Sequence, residues 1–419
     1  MPPGRREVEV FADWVGLPAP TRMGSLAVVS ARGHDVLSFA YDDTWLASPA
    51  ARVLDPVLRL HAGPQYPGQA QPSFGVFLDS SPDRWGRTLL DRREAWRARA
   101  QGRPPRPLRE LDYLLGVHDG HRLGALRFRI DEGPFLDDDD ALASPPWTTL
   151  RELEAASLAL QQAGVEDDPA YGRWLALLIA PGRSLGGARP KASVVDVDGT
   201  LWIAKFPSAD DGHDAGAWEG VLHTLAGRAG LVVPEARCQR FGSRHHTFLS
   251  RRFDRDATGR RLHFASAMTL LQHRDGDTAS YLELVDVLVT QGASPAADLE
   301  QLWRRIVFNM CVSNVDDHLR NHGFLLTAKG WSLAPAYDLN PVATGDGLTL
   351  NVSETDNAQD LELAHEVAPL FRLRPPRARA IVREVVDAVA AWPTVATAAA
   401  ISRQGTEAMA PAFRLTERP

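Results

Sequence analysis

Two short stretches determine which fold this sequence encodes: Asn314-Val315-Asp316-Asp317-His318-Leu319-Arg320-Asn321 and Ala334-Pro335-Ala336-Tyr337-Asp338-Leu339. The first carries Asp316 with an asparagine five residues later, and the second carries another aspartate a hairpin further along the chain. Phosphoryl transfer needs a carboxylate to orient the attacking hydroxyl and oxygen ligands to hold magnesium on the phosphates. Asn321 and Asp338 supply hard oxygen donors of the kind that Mg²⁺ prefers. The order and spacing therefore indicate phosphotransferase chemistry.

Two other interpretations of the first stretch stay open. A polar loop capped by Asp and Asn side chains is a common structural arrangement and would need no chemistry. His318 and His322 also have the i, i+4 spacing of a zinc-binding helix. Zinc is disfavoured, because the residues between the two histidines lack the glutamate of the HExxH motif.

Further upstream, the pattern changes to two strands joined by a tight turn. Asp198-Gly199 lies between two β-rich runs, 192–197 and 200–206, which is a strong signal for a hairpin. Lys205 lies at the end of the second run, and Glu219 lies on the helix predicted to follow. Protein kinases pair such a strand lysine with a helix glutamate to hold the lysine against the ATP phosphates. Taken alone, the two residues fit a strand-end lysine and a solvated helix glutamate better.

A glycine-rich segment, 184–193, precedes this hairpin. Gly186 and Gly187 would let backbone amides approach a phosphate without a Cβ in the way, and Lys191 adds a cation. The segment is not a Walker A loop, because the Gly-Lys-Ser/Thr spacing is absent and a strand follows. Pro190 removes one amide donor. An ordinary glycine-rich turn is the alternative interpretation.

Two helix starts are predicted from capping signals. Ser80 or Ser81 is placed to cap a helix that has Pro82 at its first position. Residues 149–152, Thr-Leu-Arg-Glu, fit a capping box that opens a second helix.

The remaining pattern predicts an α+β chain in three parts. Residues 7–45 alternate apolar and polar runs broken by Gly and Pro, which favours strands in a small α/β module. Residues 133–146 contain four consecutive aspartates and two prolines, as in a linker or solvated loop, and the chain beyond Phe253 is largely helical in pattern. The predicted parts are an N-terminal α/β subdomain (1–132), a β-rich N-lobe (147–252) and a mostly α-helical C-lobe (253–419).

Composition limits the class of protein. The chain has 419 residues with a formal net charge of −7, which disfavours strong direct binding of nucleic acid. Cys238 and Cys311 lack metal-binding or disulfide spacing, which fits a reducing cytoplasm. We expect a soluble cytoplasmic protein, because no signal-peptide pattern and no membrane-length apolar run are visible.

The motifs together, in this order, resemble the HipA-like serine/threonine kinases, toxins of bacterial toxin–antitoxin pairs with a fold distantly similar to eukaryotic protein kinases. Several independent matches in the right order are more specific than any one motif. The matching stretches are Phe39-Ala40-Tyr41-Asp42, Pro82-Asp83-Arg84-Trp85-Gly86-Arg87, Ser184-Leu185-Gly186-Gly187-Ala188-Arg189-Pro190-Lys191, Ile203-Ala204-Lys205-Phe206-Pro207, Arg252-Phe253-Asp254-Arg255, Asp316-Asp317-His318-Leu319-Arg320-Asn321 and Tyr337-Asp338.

The resemblance implies a role for each matching position. Asp316 would be the catalytic base, with His318 orienting its loop, while Asn321 and Asp338 would bind Mg²⁺. Ser184 matches the serine that relatives autophosphorylate, which ejects the loop and switches the enzyme off. The residues implied for ATP, including the adenine hinge around 249–253, are Ser184, Gly186, Gly187, Ala188, Lys191, Lys205, Glu219, Arg251 and Phe253.

The resemblance also implies partners. The expected substrate is a protein of translation, such as an aminoacyl-tRNA synthetase, and the expected neutralising partner is a HipB-like DNA-binding antitoxin. A nucleotide-binding pseudokinase subunit and a small-molecule phosphotransferase remain as alternatives. The pseudokinase is disfavoured, because the lysine, both aspartates and the asparagine are all present; the substrate groove would separate the other two.

Overall fold

A computed structural model of the chain describes residues 5–31, 34–68, 71–136, 145–179 and 189–416. The strands are β1 (Arg5–Ala12), β2 (Thr21–Ala31), β3 (His34–Tyr41), β4 (Leu126–Arg129), β5 (Lys191–Val195), β6 (Leu201–Lys205), β7 (Ala236–Gln239), β8 (Thr247–Arg251), β9 (Phe264–Ser266), β10 (Gly323–Thr327) and β11 (Gly330–Leu333). The chain is α+β, as predicted.

The helices lie in groups between these strands in the first half of the chain and predominate in the second. They are α1 (Asp43–Leu46), α2 (Gly75–Asp79), α3 (Arg84–Ala100), α4 (Glu110–Leu115), α5 (Leu150–Ala159), α6 (Tyr171–Ile179), α7 (Ala215–Arg228), α8 (Ala267–Leu271), α9 (Tyr281–Gln291), α10 (Pro295–Cys311), α11 (Leu361–Val367), α12 (Pro375–Val389), α13 (Trp392–Ala398) and α14 (Arg403–Met409).

The chain divides into two compact units. Unit 1 comprises residues 1–204 and 254–265, and unit 2 comprises residues 205–253 and 266–419. The three-part division expected from the sequence is finer than this one and stays a prediction. Among the helices that the structure describes, none combines the length and the apolar character needed to cross a membrane.

Unit 1 is built on an antiparallel sheet with the strand order β3-β2-β1-β4. In the central strand β1, Val8 and Val10 are buried while the alternating Glu7 and Glu9 are half-exposed, so one face of the strand meets the core. An aromatic cluster covers that face, with Phe77 in edge-to-face contact with Phe39 and Phe128. The prediction of strands in residues 7–45 is confirmed.

The two predicted helix caps are wrong in detail. Helix α3 begins at Arg84, and its cap is Asp83, whose carboxylate accepts a hydrogen bond from the Gly86 amide at 2.8 Å. A carboxylate cap one residue after Pro82 serves the first turn better than either serine, since it also complements the helix dipole. Helix α5 does form after Thr149, but the Thr149 hydroxyl donates to the Pro146 carbonyl instead of closing a capping box.

Unit 2 is organised around α10, whose residues from Leu302 to Cys311 are all buried. The helix packs against α9, α11 and α12. On another side of the unit, β7 and β8 form an antiparallel pair that contacts α7. A second antiparallel pair, β10 and β11, follows the stretch that starts at Asn314. Cys238 is an exposed free thiol and Cys311 a buried one, and burial raises the pKa of Cys311 to about 12.

Candidate active site

Helix α10 ends in a way that turns the chain directly into the first stretch. The Asn314 amide bonds to the Asn309 carbonyl at 2.9 Å and the Ser313 amide to the Met310 carbonyl at 3.4 Å. These two bonds form a Schellman motif, with Ser313 at φ +47° in the left-handed position that glycine usually occupies. The following loop presents Asp316 as an exposed carboxylate and ends in one 3₁₀ turn, Leu319–Asn321.

Asp317, next to the exposed Asp316, is buried and serves as an anchor. Its Oδ2 accepts hydrogen bonds from the Tyr281 hydroxyl (2.5 Å), Asn309 Nδ2 (2.8 Å) and His322 Nε2 (2.8 Å). Burial works to raise the pKa of Asp317, but His322 and Tyr281 outweigh it and hold that pKa below the ordinary value. Tandem aspartates were visible in the sequence, but only the fold assigns one to solvent and one to the interior.

From Asn309 a hydrogen-bonded chain of amides reaches the second stretch. Asn314 Nδ2 donates to Asn309 Oδ1 at 3.0 Å, and Asn314 Oδ1 accepts from the Asn340 amide at 3.2 Å. Asn340 Nδ2 then donates to Asp338 Oδ1 at 3.2 Å. The network connects the base of the first loop to Asp338, and sequence reasoning missed both Asn309 and Asn340. The only available signal was that α10 carries a polar residue inside an apolar run.

Asp338 lies in a backbone conformation that an aspartate rarely adopts, with φ at +60°. The residue before it holds the segment in place, because the Tyr337 hydroxyl donates to the Arg320 carbonyl at 2.7 Å. Such a conformation persists only where the surroundings enforce it, and it often marks a functional position. The two stretches are thus tied together through side chains on both sides of Asp338.

Lys205 lies between two carboxylates. Its ammonium is 2.5 Å from Glu219 Oε1 on α7 and 2.7 Å from Asp338 Oδ1. Burial works to lower the pKa of Lys205, but Asp338 and Glu219 together raise it above the ordinary lysine value, so the side chain stays cationic. The structure brings Lys205 and Glu219 together as the sequence suggested, and it adds Asp338 to the pair.

The four residues expected to carry phosphoryl transfer converge within unit 2. Asn321 Nδ2 donates to the backbone carbonyl of Asp316 at 3.2 Å. Burial, together with the charges of Asp338 and Asp317, raises the pKa of Asp316, while His318 opposes the shift. The carboxylates of Asp316 and Asp338 are therefore close enough to interact electrostatically, and Asp338 forms an ion pair with Lys205. Their catalytic and binding roles stay predictions.

The donor set fits magnesium better than zinc. Asn321 Oδ1 is buried and has no hydrogen-bond partner among the residues that the structure describes, and a buried oxygen of this kind could bind a cation. Asp338 supplies a carboxylate close by, and both donors are the hard oxygens that Mg²⁺ takes. His322 uses its Nε2 on Asp317, and the described residues contain no group of three or more His, Cys, Asp or Glu that could hold a metal. The residues present therefore suit Mg²⁺, and metal binding itself stays a prediction.

The glycine-rich segment is only partly described. Ser184, Gly186, Gly187 and Ala188 lie outside the described residues. Lys191, at the start of β5, lies 3.1 Å from Asp83 Oδ2 within unit 1, and its side chain is only 3% exposed. The structure therefore gives this ammonium a carboxylate partner at the start of α3. A contact of Lys191 with ATP stays a prediction.

The expected adenine hinge coincides with the end of β8. Arg251 is the last residue of that strand, and its amide bonds to the Glu235 carbonyl at 2.8 Å. Phe253 lies two residues later, with its ring centroid 5.5 Å from that of Tyr337, which precedes Asp338. The hinge segment and the second stretch are thus neighbours in unit 2, although their contact with a nucleotide stays a prediction.

The chain is similar to several known proteins. The family model of the HipA-like C-terminal domain matches residues 183–392, half of the chain. "Putative kinase Y4mE" of Sinorhizobium fredii is 27% identical over 73% of this chain and 72% of its own length, and "Putative kinase Y4dM" of the same organism is 28% identical over 57% and 58%.

A solved structure extends the likeness to nearly the whole fold. A chain from the complex of HipA, HipB and operator DNA of Shewanella oneidensis MR-1 superposes with a TM-score of 0.67, covering 98% of this chain and 95% of that chain at 16% identity. The likeness in fold confirms the predicted HipA-type architecture. With the family model spanning half of the sequence, the chain belongs to the family of the HipA-like C-terminal domain.

Proposed function

We propose that this protein is an ATP- and Mg²⁺-dependent serine/threonine protein kinase. The observation that carries the proposal is the position of Lys205 between Glu219 and Asp338, with Asp338 linked by side-chain amides to the loop of Asp316. A cation held in place, an exposed carboxylate and a metal-ready amide oxygen are the parts that phosphoryl transfer requires.

In this proposal each side chain has one task. Asp316 accepts a hydrogen bond from the substrate hydroxyl and takes its proton as the oxygen bonds to the γ-phosphorus, while the bond to the β-phosphate oxygen breaks and ADP leaves. Lys205 balances the negative charge of the phosphates, and Glu219 keeps the lysine aimed. Mg²⁺, held by Asn321 and Asp338, would neutralise charge on the phosphate oxygens.

We further propose that the enzyme limits itself and has an antitoxin. Phosphorylation of Ser184 would add close to two negative charges to the glycine-rich segment, a change that disrupts a loop built to hold phosphates. The fold likeness to a chain solved with HipB and operator DNA supports a HipB-like DNA-binding partner for this chain as well. The proposed substrate is a protein of translation, such as an aminoacyl-tRNA synthetase.

A small-molecule phosphotransferase would use the same residues, so the test must identify the acceptor. The purified chain, pretreated with phosphatase and checked by intact mass, is incubated with γ-labelled ATP and Mg²⁺. We expect label on Ser184 in the wild type and none in Asp316→Asn. Glu366→Gln, which removes an exposed carboxylate on α11, is the matched control and should label normally.

The outcomes separate the candidates. Protein label that persists in Asp316→Asn would remove Asp316 from its proposed role. A wild type that hydrolyses ATP or modifies small metabolites without labelling any protein hydroxyl would favour the small-molecule enzyme. A wild type that binds nucleotide and transfers nothing would favour the pseudokinase.

A further inference from the structure

Two consecutive residues near the end of the described chain contact residues that adjoin the two halves of the candidate site. Phe413 and Arg414, which we call the C-terminal clamp, lie in the short 3₁₀ segment Ala410–Thr416 that follows α14. Phe413 is fully buried, whereas Arg414 reaches across the surface of unit 2. Neither residue belongs to a motif that the sequence analysis used.

Arg414 hydrogen-bonds to Ser313, the residue at which the loop of Asp316 begins. Its Nη1 donates to Ser313 Oγ at 3.1 Å, and its Nη2 donates to Gln359 Oε1 at 2.7 Å. Ser313 Oγ in turn donates to the same Gln359 oxygen at 2.9 Å, so the three side chains close a triangle of hydrogen bonds. Ser313 itself is fully buried, so its hydroxyl has no access to water. Within the described structure, Arg414 and Gln359 are its hydrogen-bond partners.

Ser313 is a position where such support matters. A left-handed conformation is unfavourable for a non-glycine residue, and it persists only when neighbours enforce it. The Ser313 carbonyl also accepts the amides of Val315 (2.9 Å) and Val342 (3.1 Å), so its orientation sets the path of the chain on both sides. Asp316 follows three residues later, and a shift at Ser313 is passed to its carboxylate.

Phe413 packs at the other half of the site. Its ring stacks on Trp392 with centroids 4.4 Å apart and planes 6° apart, and it lies 6.0 Å from the ring of Trp218. Trp218 is fully buried on α7 and immediately precedes Glu219, the partner of Lys205. The aromatic cluster thus fixes the helix that aims the lysine.

We propose that the C-terminal clamp positions the active site. Arg414 fixes the position of the loop of Asp316, and Phe413 fixes the position of α7. The proposal rests on the kinase activity proposed above. Arg414 touches no reacting group, so it acts through Ser313. The clamp couples the loop of Asp316 to the lysine–glutamate pair, because one short segment contacts Ser313 before that loop and Trp218 beside Glu219.

Steady-state kinetics with a generic protein substrate test the role of Arg414. For Arg414→Ala we expect kcat to fall about 10- to 100-fold, since misplacing a catalytic group by about 1 Å costs rate on this scale, with the KM for ATP changed less than about twofold. Arg414→Lys keeps one donor and should recover part of kcat. Arg403→Ala, which breaks an exposed ion pair with Glu407 on α14, is the control and should match the wild type.

A double-mutant cycle with Ser313→Ala separates positioning from general stability. Ser313→Ala leaves the backbone strain but removes the hydroxyl, so adding Arg414→Ala should cost less than the product of the single effects. Fully multiplicative losses, or equal loss of kcat in Arg403→Ala, would overturn the clamp.

Hydrogen exchange gives a readout that needs no activity. Peptides covering 312–318 should exchange faster in Arg414→Ala and remain as protected as the wild type in Arg403→Ala. An inactive wild type would count against the proposed function, whereas an active wild type with an unaltered Arg414→Ala, in rate and in exchange, would count against the clamp alone.

Discussion

At the scale of single residues, the neighbours Asp316 and Asp317 show how burial separates chemistry from structure. The Asp316 side chain is exposed at the surface, and partial desolvation together with the adjacent charges of Asp338 and Asp317 raises its pKa. Asp317 is buried, and three donors hold its carboxylate ionised. The Asp316 carboxylate is accessible from solvent, whereas the Asp317 carboxylate is part of a buried hydrogen-bond network.

The two aspartates should therefore respond differently to the same substitution. Asp317→Asn replaces an acceptor with a partial donor facing Tyr281, Asn309 and His322, so we expect the free energy of unfolding to fall by about 2–4 kcal/mol. Asp316→Asn should leave that free energy within about 0.5 kcal/mol of the wild type, as for other exposed positions. Urea denaturation measures both, and equal stabilities for the two variants would contradict the assignment of Asp317 as the anchor.

The sequence predicted the residues of the site better than the contacts that hold them. Lys205, Glu219, Asp316, Asn321 and Asp338 were identified from spacing and resemblance, and the fold brings them together. The supporting residues were not identified, because an asparagine inside an apolar helix or an arginine near the C-terminus has no local pattern that reveals its distant partner. The same limit explains Lys191, whose ion pair with Asp83 joins positions far apart in the sequence.

At the scale of elements, α7 is seated by a close backbone approach. A Cβ added at Gly216 would lie 2.1 Å from the His246 carbonyl oxygen, so only glycine permits the helix to lie this near the start of β8. Asp214 enforces the approach, since its carboxylate caps α7 at the Ala217 amide and also accepts the His246 amide at 2.9 Å. The position of Glu219 depends on this seat.

Two glycines on the same helix give a matched test of the seat. Gly216→Ala must push α7 away from β8, so we expect a loss of about 1–3 kcal/mol in the free energy of unfolding. Gly220→Ala meets only ordinary contacts at Cys238, and better helix propensity should make it neutral or up to about 1 kcal/mol more stable. Thermal or urea unfolding distinguishes the two, and a destabilised Gly220→Ala beside a normal Gly216→Ala would refute the close approach.

Sequence patterns predicted elements well where periodicity is long and poorly where a cap decides the boundary. The hairpin of β5 and β6 was predicted from Asp198-Gly199, and Gly199 has the positive φ that this turn demands. Helix α7 carries Glu219 as predicted, and helices α8 to α14 fall in the part beyond Phe253 that was predicted to be largely helical. The caps of α3 and α5 were missed, because several polar residues compete near each start and only the final backbone path selects one.

At the scale of the whole molecule, the two units contain different acid-sensitive groups. In unit 1, burial lowers the pKa of His263 to about 3, so this imidazole is neutral in the folded chain. In unit 2, burial likewise lowers the pKa of His223. The pKa of the Asp317 carboxyl is also lowered, because His322 and Tyr281 favour its ionised form. Protonation on acidification therefore favours unfolding in both units.

His263 and Asp317 affect the free energy of unfolding in different pH ranges. An unfolded histidine binds a proton near pH 6.5, so stability should fall as pH drops from about 6.5 toward 3, by at most about 1.4 kcal/mol per pH unit for His263. Asp317 contributes stability above about pH 4, the unfolded value, which is lost as pH falls through its lower folded pKa. Unfolding midpoints from pH 7 to pH 4.5 should show a shallower decline in His263→Phe than in the wild type. Parallel curves would rule out His263 as the source.

The polypeptide passes between the two units three times, after Ala204, Phe253 and Ala265. No single cut can therefore release both units intact. A fragment that begins at Lys205 still carries Asp254–Ala265, and a fragment that ends at Ala204 lacks that segment, which includes the buried His263. Dissection by truncation would remove interior packing from the first unit, and separate expression of the second would need a short artificial bridge from Phe253 to Ser266.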